Sequence, residues 1–461
     1  MPQIKHVVHL MLENRSLDNL LGWLYAANQN KPPLNLIDVQ NPAVYHGLTG
    51  NEYNVGKDGE RHYINVPPPG NLTIPPFDPH EVFKHVHIQC YTSQDGKSVG
   101  NKPEMGGFYQ DYESMLDSPE DIMLAFTPDE LPVLNGLARN FAVCDKWYAS
   151  VPSQTFCNRA FAATGNSVGK NILTGEVQGW VDNSIFLDYT STTHWEVLSR
   201  NGKNSPDDWM IYYSQKFWWS PAYCLTRDLF RTTLGDVKYD QHFAHIDDFF
   251  TKAATGKLPS YSFLEPNWGL MYWQFGIDGT DYHPPGNVCP GEVFVKKIYD
   301  ALSQGPSWNE TLLIITFDEH GGTYDHIPVA LNAAPPTSDK GQYGFKFDTF
   351  GVRVPAMLIS PWVPQGAVFR MPEGQTPFDH TAVIATLLNW FGIDRSLWNM
   401  GARVAAAPTF ENVLCLDKPR TDIPVVTPPV CPEDAQVDRP VTDLHHLIAA
   451  RSWRYGQERK V

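Results

Sequence analysis

The chain has 461 residues and a formal net charge of −16, from 51 acidic and 35 basic side chains, and 42% of its residues are hydrophobic. This composition supports a large buried core and excludes a disordered chain. The acidic balance disfavours nonspecific binding to nucleic acid or to anionic lipid, because both partners need a cationic surface.

The N-terminal residues, the apolar runs and the cysteines bear on the cellular compartment of the protein. Residues 1–12 are apolar but lack the small-residue cleavage site of a secretory signal peptide, and no apolar run approaches the ~20 residues that span a bilayer. The sequence therefore predicts a cytoplasmic protein, or one exported by a route that reads no N-terminal signal. Seven cysteines without a close CxxC pair favour scattered reduced thiols over a disulfide framework.

Buried strands and amphipathic helices alternate along the chain. The first predicted strand spans residues 4–12 and is stopped by charge. A predicted helix at 290–302 leads to a strand at 311–317, and a strand at 354–360 precedes a helix at 381–391. This alternation predicts an α/β fold with a mostly parallel central sheet and helices on both faces. In such a sheet, ligands bind beyond the carboxyl ends of the strands.

The middle and the tail of the chain differ from this pattern. Residues 171–273 are rich in Trp, Tyr and Asn and predict a loop-rich insertion or cap over the site. Residues 416–440 carry six prolines and predict an extended strap, after which residues 443–455 are helical. We therefore divide the chain into a catalytic domain at 1–415, with the insertion at 170–275, and a C-terminal extension at 416–461.

The C-terminal helix has an apolar face that needs a covering surface. Leu444, Leu447 and Ile448 lie on one side of the predicted helix. This face can pack on its own domain, or it can pack on a neighbouring subunit and so build a homo-oligomer. We expect the homo-oligomer.

Two of the predicted strands end in polar side chains that suit a cation. Glu13 and Asn14 follow the first strand, and Asp318 and Glu319 follow the strand at 311–317. Adjacent carboxylates near a core repel each other unless a cation neutralises them, and oxygen ligands suit hard cations. Two alternatives stay open: Asn14 as a helix N-cap, and a solvated loop for the two acids.

The segment 150–159 places hydroxyl groups beside a guanidinium group. Thr155 and Ser153 are candidate nucleophiles, because a hydroxyl held on a metal loses its proton more readily. Arg159 is suited to clamping phosphate oxygens through parallel hydrogen bonds. The alternative is an ordinary turn that starts a helix.

Three Asp/His pairs occur in the last 180 residues. A lone histidine is more often a cap or a buried hydrogen-bonding group than a catalyst, but three such pairs favour a shared site. The pairs are Asp281 with His283, Asp325 with His326, and Asp379 with His380.

Seven segments, in order along the chain, resemble the phosphoesterase family. This family contains bacterial and plant nonspecific phospholipases C and bacterial acid phosphatases, within the alkaline-phosphatase-like superfamily. The segments are ENRSLD at 13–18, FDPH at 77–80, WYASVPSQTFCNR at 147–159, DYHP at 281–284, DEHGGTYDHIP at 318–328, GVRVPAMLISP at 351–361 and DHT at 379–381. Two departures stand out: the second segment lacks a Gly, and Cys157 replaces a Pro before Asn-Arg.

The resemblance implies the fold of that superfamily and a role for each matching residue. Thr155 corresponds to the metal-bound nucleophile, with Ser153 as the alternative. One divalent metal is implied, with the ligands Glu13, Asn14, Thr155, Asp318 and Glu319. The remaining catalytic candidates are Arg159, His283, His326, His80 and Asp281. Oxygen ligands favour Ca²⁺, Mg²⁺ or Mn²⁺, and the nearby histidines leave Zn or Fe open.

The resemblance also suggests the reaction. We expect a phospholipase C that converts phosphatidylcholine-like lipids to diacylglycerol and a phosphorylated head group through a phospho-threonine. The alternatives are an acid phosphatase acting on phosphomonoesters and, less favoured, a non-catalytic phosphate- or lipid-binding protein. Expected partners are a phospholipid or small phosphoester, with peripheral membrane contact at most and no nucleic acid.

Aromatic side chains in the insertion suggest a site for the head group. Tyr212, Trp218 and Trp219 can form walls for a quaternary ammonium group through cation–π contacts. Packing beneath a cap is the alternative, and it is the favoured one, because aromatic side chains mostly serve as buried bulk.

Overall fold

The computed structural model describes residues 3–25, 37, 45–98, 100–116, 119–217, 223–230, 238–269, 279–431 and 441–458. The described strands, in chain order, are β1 His6–Leu12, β2 Tyr53–Val55, β3 Arg61–Tyr63, β4 Ala142–Cys144, β5 Trp147–Tyr148, β6 Val168–Asn171, β7 Val177–Gly179, β8 Leu187–Tyr189, β9 Trp209–Tyr213, β10 Phe243–His245, β11 Tyr261–Glu265, β12 Thr311–Phe317, β13 Ala356–Ile359, β14 Ala367–Phe369 and β15 Phe378–Asp379. The described α-helices are α1 Leu17–Leu21, α2 Phe83–Cys90, α3 Phe108–Tyr112, α4 Pro132–Asn140, α5 Thr155–Thr164, α6 His194–Arg200, α7 Ile246–Thr255, α8 Cys289–Ser303, α9 Thr381–Trp390, α10 Gly401–Ala406 and α11 Asp443–Glu458.

A large central sheet organises the described part of the chain. Its eight strands lie in the order β10-β9-β11-β1-β12-β13-β4-β14. The first five run parallel to one another, and β13 runs antiparallel to both of its neighbours. This mostly parallel sheet with surrounding helices confirms the predicted α/β class. The strand predicted at 311–317 is β12, and the predicted helices at 290–302 and 381–391 are α8 and α9.

The segment predicted as an insertion contributes to the core of the fold. Strands β9, β10 and β11 all come from residues 171–273, and β11 pairs directly with β1. For these strands the prediction of a loop-rich cap is therefore wrong. A central strand is buried on both faces, so its sequence shows no alternation of polar and apolar residues. The aromatic residues that obscured the pattern fill that core.

Tyr212 illustrates the correction. Its side chain lies on β9, is fully buried and packs against Phe249 of α7, with ring centroids 5.6 Å apart. It is a core residue, and the prediction that it walls a head-group site is wrong. Trp218 and Trp219 lie outside the described residues.

The C-terminal strap is held to the domain by a disulfide. Val426 of the strap is buried in the core, and Cys431 is bonded to Cys289 at the start of α8. The prediction of scattered reduced thiols is therefore wrong for this pair, whereas the other five cysteines are free. The two cysteines are separated by 142 residues, so no local spacing marks them as partners, and only the return path of the strap brings them together.

The C-terminal helix packs on its own chain. Leu444, Leu447 and Ile448 of α11 belong to the main hydrophobic core. The surface expected to attract a second subunit is thus covered, and the homo-oligomer stays a prediction without this support. Within the described residues, we find no helix whose length and apolarity would let it cross a membrane.

Candidate active site

The carboxyl ends of β1 and β12 place two pairs of polar residues side by side. The parallel register opposes Leu12 to Phe317, so Glu13 and Asp318 leave the sheet as neighbours. The backbone N–H of Asn14 donates to Asp318 Oδ1 at 3.0 Å. This arrangement agrees with the rule that ligand sites of parallel sheets form beyond the carboxyl ends of the strands.

The alternative of Asn14 as a helix cap is not what the structure shows. Ser16 caps α1, because its Oγ accepts the N–H of Asn19 at 3.1 Å. Asn14 instead adopts a left-handed conformation with φ 54°, which Asn tolerates better than most residues. Gly321 lies against it, and a Cβ there would approach Asn14 O to 2.1 Å.

The turn before α5 sets the position of Thr155, the first residue of that helix. Asn158 ties this turn together: its Oδ1 accepts Val151 N–H at 3.0 Å, and its Nδ2 donates to Ser153 O at 2.8 Å. The Thr155 hydroxyl then lies 3.2 Å from Glu13 Oε2 and 3.3 Å from Asn14 Oδ1. Ser153, the alternative nucleophile, faces elsewhere and donates to Asp182 Oδ1 at 3.3 Å.

Arg159 lies one helical turn after Thr155, on the same side of α5. Its Nε donates to Glu13 Oε1 at 2.6 Å and lies 3.5 Å from Asp318 Oδ2. Its guanidinium also stacks on the Trp268 ring, 4.9 Å from the centroid. Burial lowers the pKa of Arg159, but the charges of Glu13 and Asp318 outweigh this and raise its pKa overall.

The site holds more buried negative charge than Arg159 balances. Burial raises the pKa of Glu13 well above its usual value; Arg159 opposes the rise and Asp318 adds to it. Burial and the neighbouring Asp318 charge likewise raise the pKa of Glu319. Buried carboxyl groups in this state require a cation or protonation.

Two carboxylate oxygens are suited to such a cation. Asp318 Oδ2 and Glu319 Oε1 are both buried, and with the carboxyl groups ionised neither accepts a hydrogen bond within the described part of the chain. Glu319 Oε2, by contrast, accepts the Gly321 N–H at 2.8 Å. An all-oxygen donor set with buried, unsatisfied carboxylate atoms fits a hard divalent cation.

Glu81 and Asp78 adjoin this group and were not among the predicted site residues. Asn14 Nδ2 donates to Glu81 Oε1 at 2.5 Å. His283 Nε2 lies 3.6 Å from that same oxygen, and His283 Nδ1 lies 3.8 Å from Asp78 Oδ1. The only sequence signal is local: Asp78 lies in the FDPH segment, and Glu81 follows it directly.

Asp281 and His283 reach the site through the loop before α8. The backbone carbonyl of Asp281 accepts the Glu13 N–H at 2.9 Å. His380 also touches the group, with Nε2 2.5 Å from Asp318 O, and burial lowers its pKa. The predicted residues Glu13, Asn14, Thr155, Arg159, Asp281, His283, Asp318 and Glu319 therefore form one connected group.

His80 lies in a separate cluster. Its ring packs on that of His85 with centroids 3.7 Å apart, and its Nδ1 lies 3.5 Å from Asp111 Oδ2. Gln89 links Asp111 to His320, the neighbour of Glu319.

His326 is held by a different acid. Its Nδ1 lies 2.5 Å from Asp18 Oδ2, and Arg353 binds both Asp18 and Asp325. The structure therefore does not bring His326 to the Thr155 hydroxyl, and its catalytic role stays a prediction that this geometry does not support.

Within the described residues, three groups of His, Asp and Glu side chains have potential ligand atoms within 4.8 Å of one another. They are His80 with His85 and Asp111, Asp18 with Asp325 and His326, and Asp78 with Glu81 and His283. The predicted metal-ligand set adjoins the third group through the hydrogen bond from Asn14 to Glu81. The described residues thus offer several places where a metal could be held.

Comparison with known proteins matches the sequence of this chain to a family. The profile of the Phosphoesterase family matches residues 4–394. Non-specific phospholipase C6 of Arabidopsis thaliana is 34% identical in an alignment 438 positions long, which covers 93% of this chain and 76% of the relative. Non-specific phospholipase C4 of the same plant is 32% identical in an alignment 472 positions long, which includes gaps and covers 99% of this chain and 81% of the relative.

More distant similarity extends to bacteria. The non-hemolytic phospholipase C of Burkholderia pseudomallei is 23% identical over 428 residues, covering 83% of this chain and 54% of the relative. Among solved structures, a protein of the alkaline phosphatase superfamily from Vibrio parahaemolyticus aligns with 72% of this chain and 81% of its own, at 12% identity and a TM-score of 0.34.

Proposed function

Because this chain belongs to the phosphoesterase family, we propose that it is a phospholipase C that hydrolyses phosphatidylcholine-like lipids to diacylglycerol and a phosphorylated head group. Family membership makes the chain a phosphoric ester hydrolase. The choice of a lipid phosphodiester is supported by the plant relatives, which are named non-specific phospholipases C.

One observation carries the mechanism: the Thr155 hydroxyl lies within hydrogen-bonding distance of both Glu13 and Asn14. Its place at the N-terminus of α5 adds the positive end of the helix dipole. This combination favours negative charge on the oxygen and on a phosphate that approaches it.

The metal in this proposal is a single divalent ion. Its ligands are Glu13, Asn14, Thr155, Asp318 and Glu319, whose oxygens favour Ca²⁺, Mg²⁺ or Mn²⁺. When bound, the ion lowers the pKa of the threonine hydroxyl and stabilises charge on the phosphoryl oxygens.

The residues of the chain divide the remaining work. Thr155 Oγ1 forms a bond to phosphorus as the bond from phosphorus to the glycerol oxygen breaks. Diacylglycerol leaves with a proton, and water then hydrolyses the phospho-threonine to release the phosphorylated head group. His283 is the favoured proton donor to the leaving oxygen. Its Nε2 lies 3.6 Å from Glu81 Oε1, and the same oxygen accepts a hydrogen bond from the Asn14 side chain beside Thr155.

Product analysis tests the proposal, with Thr155→Ala compared with the native chain and Ser153→Ala as the matched control. We expect diacylglycerol and phosphocholine from phosphatidylcholine with the native chain and with Ser153→Ala. The Thr155→Ala rate should fall by on the order of 10³–10⁶-fold. A chelator should abolish turnover, and adding back single metals identifies the ion.

Two results would overturn parts of this proposal. Thr155-dependent phosphate release from a monoester, without lipid cleavage, would make the protein a phosphatase. Full lipid cleavage by Thr155→Ala would exclude Thr155 as the nucleophile.

A further inference from the structure

The small sheet formed by β6, β7 and β8 carries exposed apolar side chains. Five of them lie within 15 residues, and each is between 37% and 68% exposed. The set is Ile172, Leu173, Val177, Ile185 and Phe186, which we call the apolar hairpin surface. Single exposed apolar residues are ordinary, but a contiguous patch marks an interaction site.

The fold gathers these residues into one place. Strands β6 and β7 form a hairpin whose turn contains Ile172 and Leu173. The N–H of Ile172 donates to Phe186 O at 2.8 Å, so the hairpin turn and the strand entry at 185–186 lie side by side. The most exposed member, Leu173, is in the turn itself.

This surface is connected directly to the segment that carries the nucleophile. Asn183 Oδ1 accepts the Phe156 N–H at 2.9 Å, and the Asn183 N–H donates to Gln154 Oε1 at 2.9 Å. The residues on both sides of Thr155 are thus bonded to the residue two positions before Ile185. A lipid surface bound at the hairpin would therefore place its phospholipids beside the segment that carries Thr155.

An aromatic groove continues from the same connection. Tyr343 donates its hydroxyl to Asp182 Oδ2 at 2.7 Å. Tyr343, Phe83, Phe345 and Pro152 line a cavity of about 660 Å³. Pro152 is three residues before the nucleophile, so the groove and the hairpin flank the same segment.

Charge decides which surface the hairpin suits. Residues 170–177 contain one basic side chain, Lys170, and one acidic side chain, Glu176, while the whole chain carries −16. An anionic bilayer would repel the chain and find no cationic patch on the hairpin. A zwitterionic lipid surface imposes no such penalty and accepts apolar side chains at the boundary between head groups and acyl chains.

We propose that the apolar hairpin surface docks the enzyme on zwitterionic phospholipid surfaces, with Ile172 and Leu173 entering the interface. The proposal rests on the proposed function, because the docked surface is the one that contains the substrate. Moving an exposed Leu or Ile side chain from water into an apolar environment changes partitioning by on the order of tenfold or more.

The experiment compares Ile172→Ser/Leu173→Ser with the control Val425→Ser/Val430→Ser. The control residues are 89% and 93% exposed and lie on the C-terminal strap. Co-sedimentation with phosphatidylcholine vesicles measures docking. Hydrolysis of vesicular phosphatidylcholine is compared with hydrolysis of a short-chain phosphatidylcholine below its micelle concentration.

We expect the hairpin variant to lose vesicle binding and vesicular hydrolysis by about tenfold or more, while it hydrolyses the monomeric lipid like the native chain. The control should match the native chain in every assay. Unchanged vesicle binding by the hairpin variant would overturn the proposal, as would an equal loss on monomeric lipid. A native dimer that becomes monomeric in the hairpin variant, seen by light scattering, would assign the surface to a second copy instead.

Failure of the proposed function looks different. In that case the native chain cleaves neither form of the lipid. Vesicle binding by the native chain and by the two variants still decides whether the hairpin docks.

Discussion

Thr155 and Ser153 carry similar hydroxyl groups two residues apart, yet they face different partners. Thr155 begins α5 and meets Glu13 and Asn14, whereas Ser153 lies in the preceding turn and meets Asp182. Residue type does not separate the two candidates. Their positions relative to the helix start separate them, and the Asn158 side chain fixes that start.

Asn14 combines two roles at one position. Its left-handed backbone turns the chain after β1, and its side chain links the Thr155 hydroxyl to Glu81. An alanine there would strain the backbone and leave Glu81 without this donor.

We predict that Asn14→Ala destabilises the protein more than Asn332→Ala does. Asn332 also has a positive φ, 63°, but its side chain is exposed, so its variant reports strain alone, about 1–2 kcal/mol. Asn14→Ala adds the cost of unsatisfied buried groups, about 1–3 kcal/mol. Urea unfolding of both variants measures the difference, and equal losses would contradict the role of the side chain.

Among the elements, the C-terminal strap and helix are more closely tied to the site than their place in the chain suggests. His445 of α11 approaches Trp268 O to 2.9 Å, and Trp268 stacks on Arg159. Arg451 of the same helix lies over the Phe156 ring, 4.7 Å from its centroid. The extension beyond the matched residues 4–394 therefore contacts the first turns of α5, directly at Phe156 and through Trp268 at Arg159.

The disulfide between Cys289 and Cys431 should hold this extension in place. We predict that Cys289→Ser/Cys431→Ser lowers the free energy of unfolding by about 2–4 kcal/mol and makes residues 416–431 sensitive to limited proteolysis. Cys415→Ser is the control, because Cys415 is an exposed free thiol beside the strap. Thiol titration of the unfolded, unreduced chain should count five free thiols, and a count of seven would show that the bond is absent.

At the scale of the whole molecule, a buried charge network joins distant parts of the chain. The Asp18 carboxylate accepts hydrogen bonds from Arg353 Nη2 at 2.9 Å and from His326 Nδ1 at 2.5 Å. The Asp325 carboxylate accepts one from Arg353 Nε at 2.9 Å. Burial lowers the pKa of His326, but the Asp18 charge and hydrogen bond outweigh it and raise the pKa above 6.5. Burial raises the pKa of Asp18, but His326 and Arg353 lower it overall.

This network predicts a pH window of stability. The His326 contribution is complete below its unfolded pKa of about 6.5 and is lost as the pH rises through the higher folded pKa. The Asp18 contribution is present above its unfolded pKa of about 3.9 and is lost as the pH falls through the lower folded pKa. Both contributions are therefore complete between about pH 3.9, the unfolded pKa of Asp18, and about pH 6.5, the unfolded pKa of His326, and the pair stabilises the fold most in this window.

We predict that the stability lost in His326→Gln is larger at pH 6 than at pH 9. Urea unfolding at both pH values measures it, and the comparison between variants cancels the titration of other buried acids. The exposed His446, changed to Gln, serves as the control and should lose little at either pH. A His326→Gln loss that does not depend on pH would show that the imidazole is neutral in the fold.

The fold and the site were predictable wherever the information was local. The run at 311–317 contains only residues that are apolar or β-branched, and it forms β12 with those bounds. Glu13, Asn14, Asp318 and Glu319 could be assigned to one place because adjacent parallel strands present their carboxyl ends at the same edge. The motifs at those ends also identified the family, which the comparisons confirm.

Only the tertiary structure decided how distant segments meet. It joined Glu81 to Asn14 across 67 residues and Cys289 to Cys431 across 142. It also placed Tyr212 inside the sheet and committed His326 to Asp18. Periodicity and strand ends depend on a few neighbouring residues, whereas these pairings depend on the path by which the chain returns, and no local pattern encodes that path.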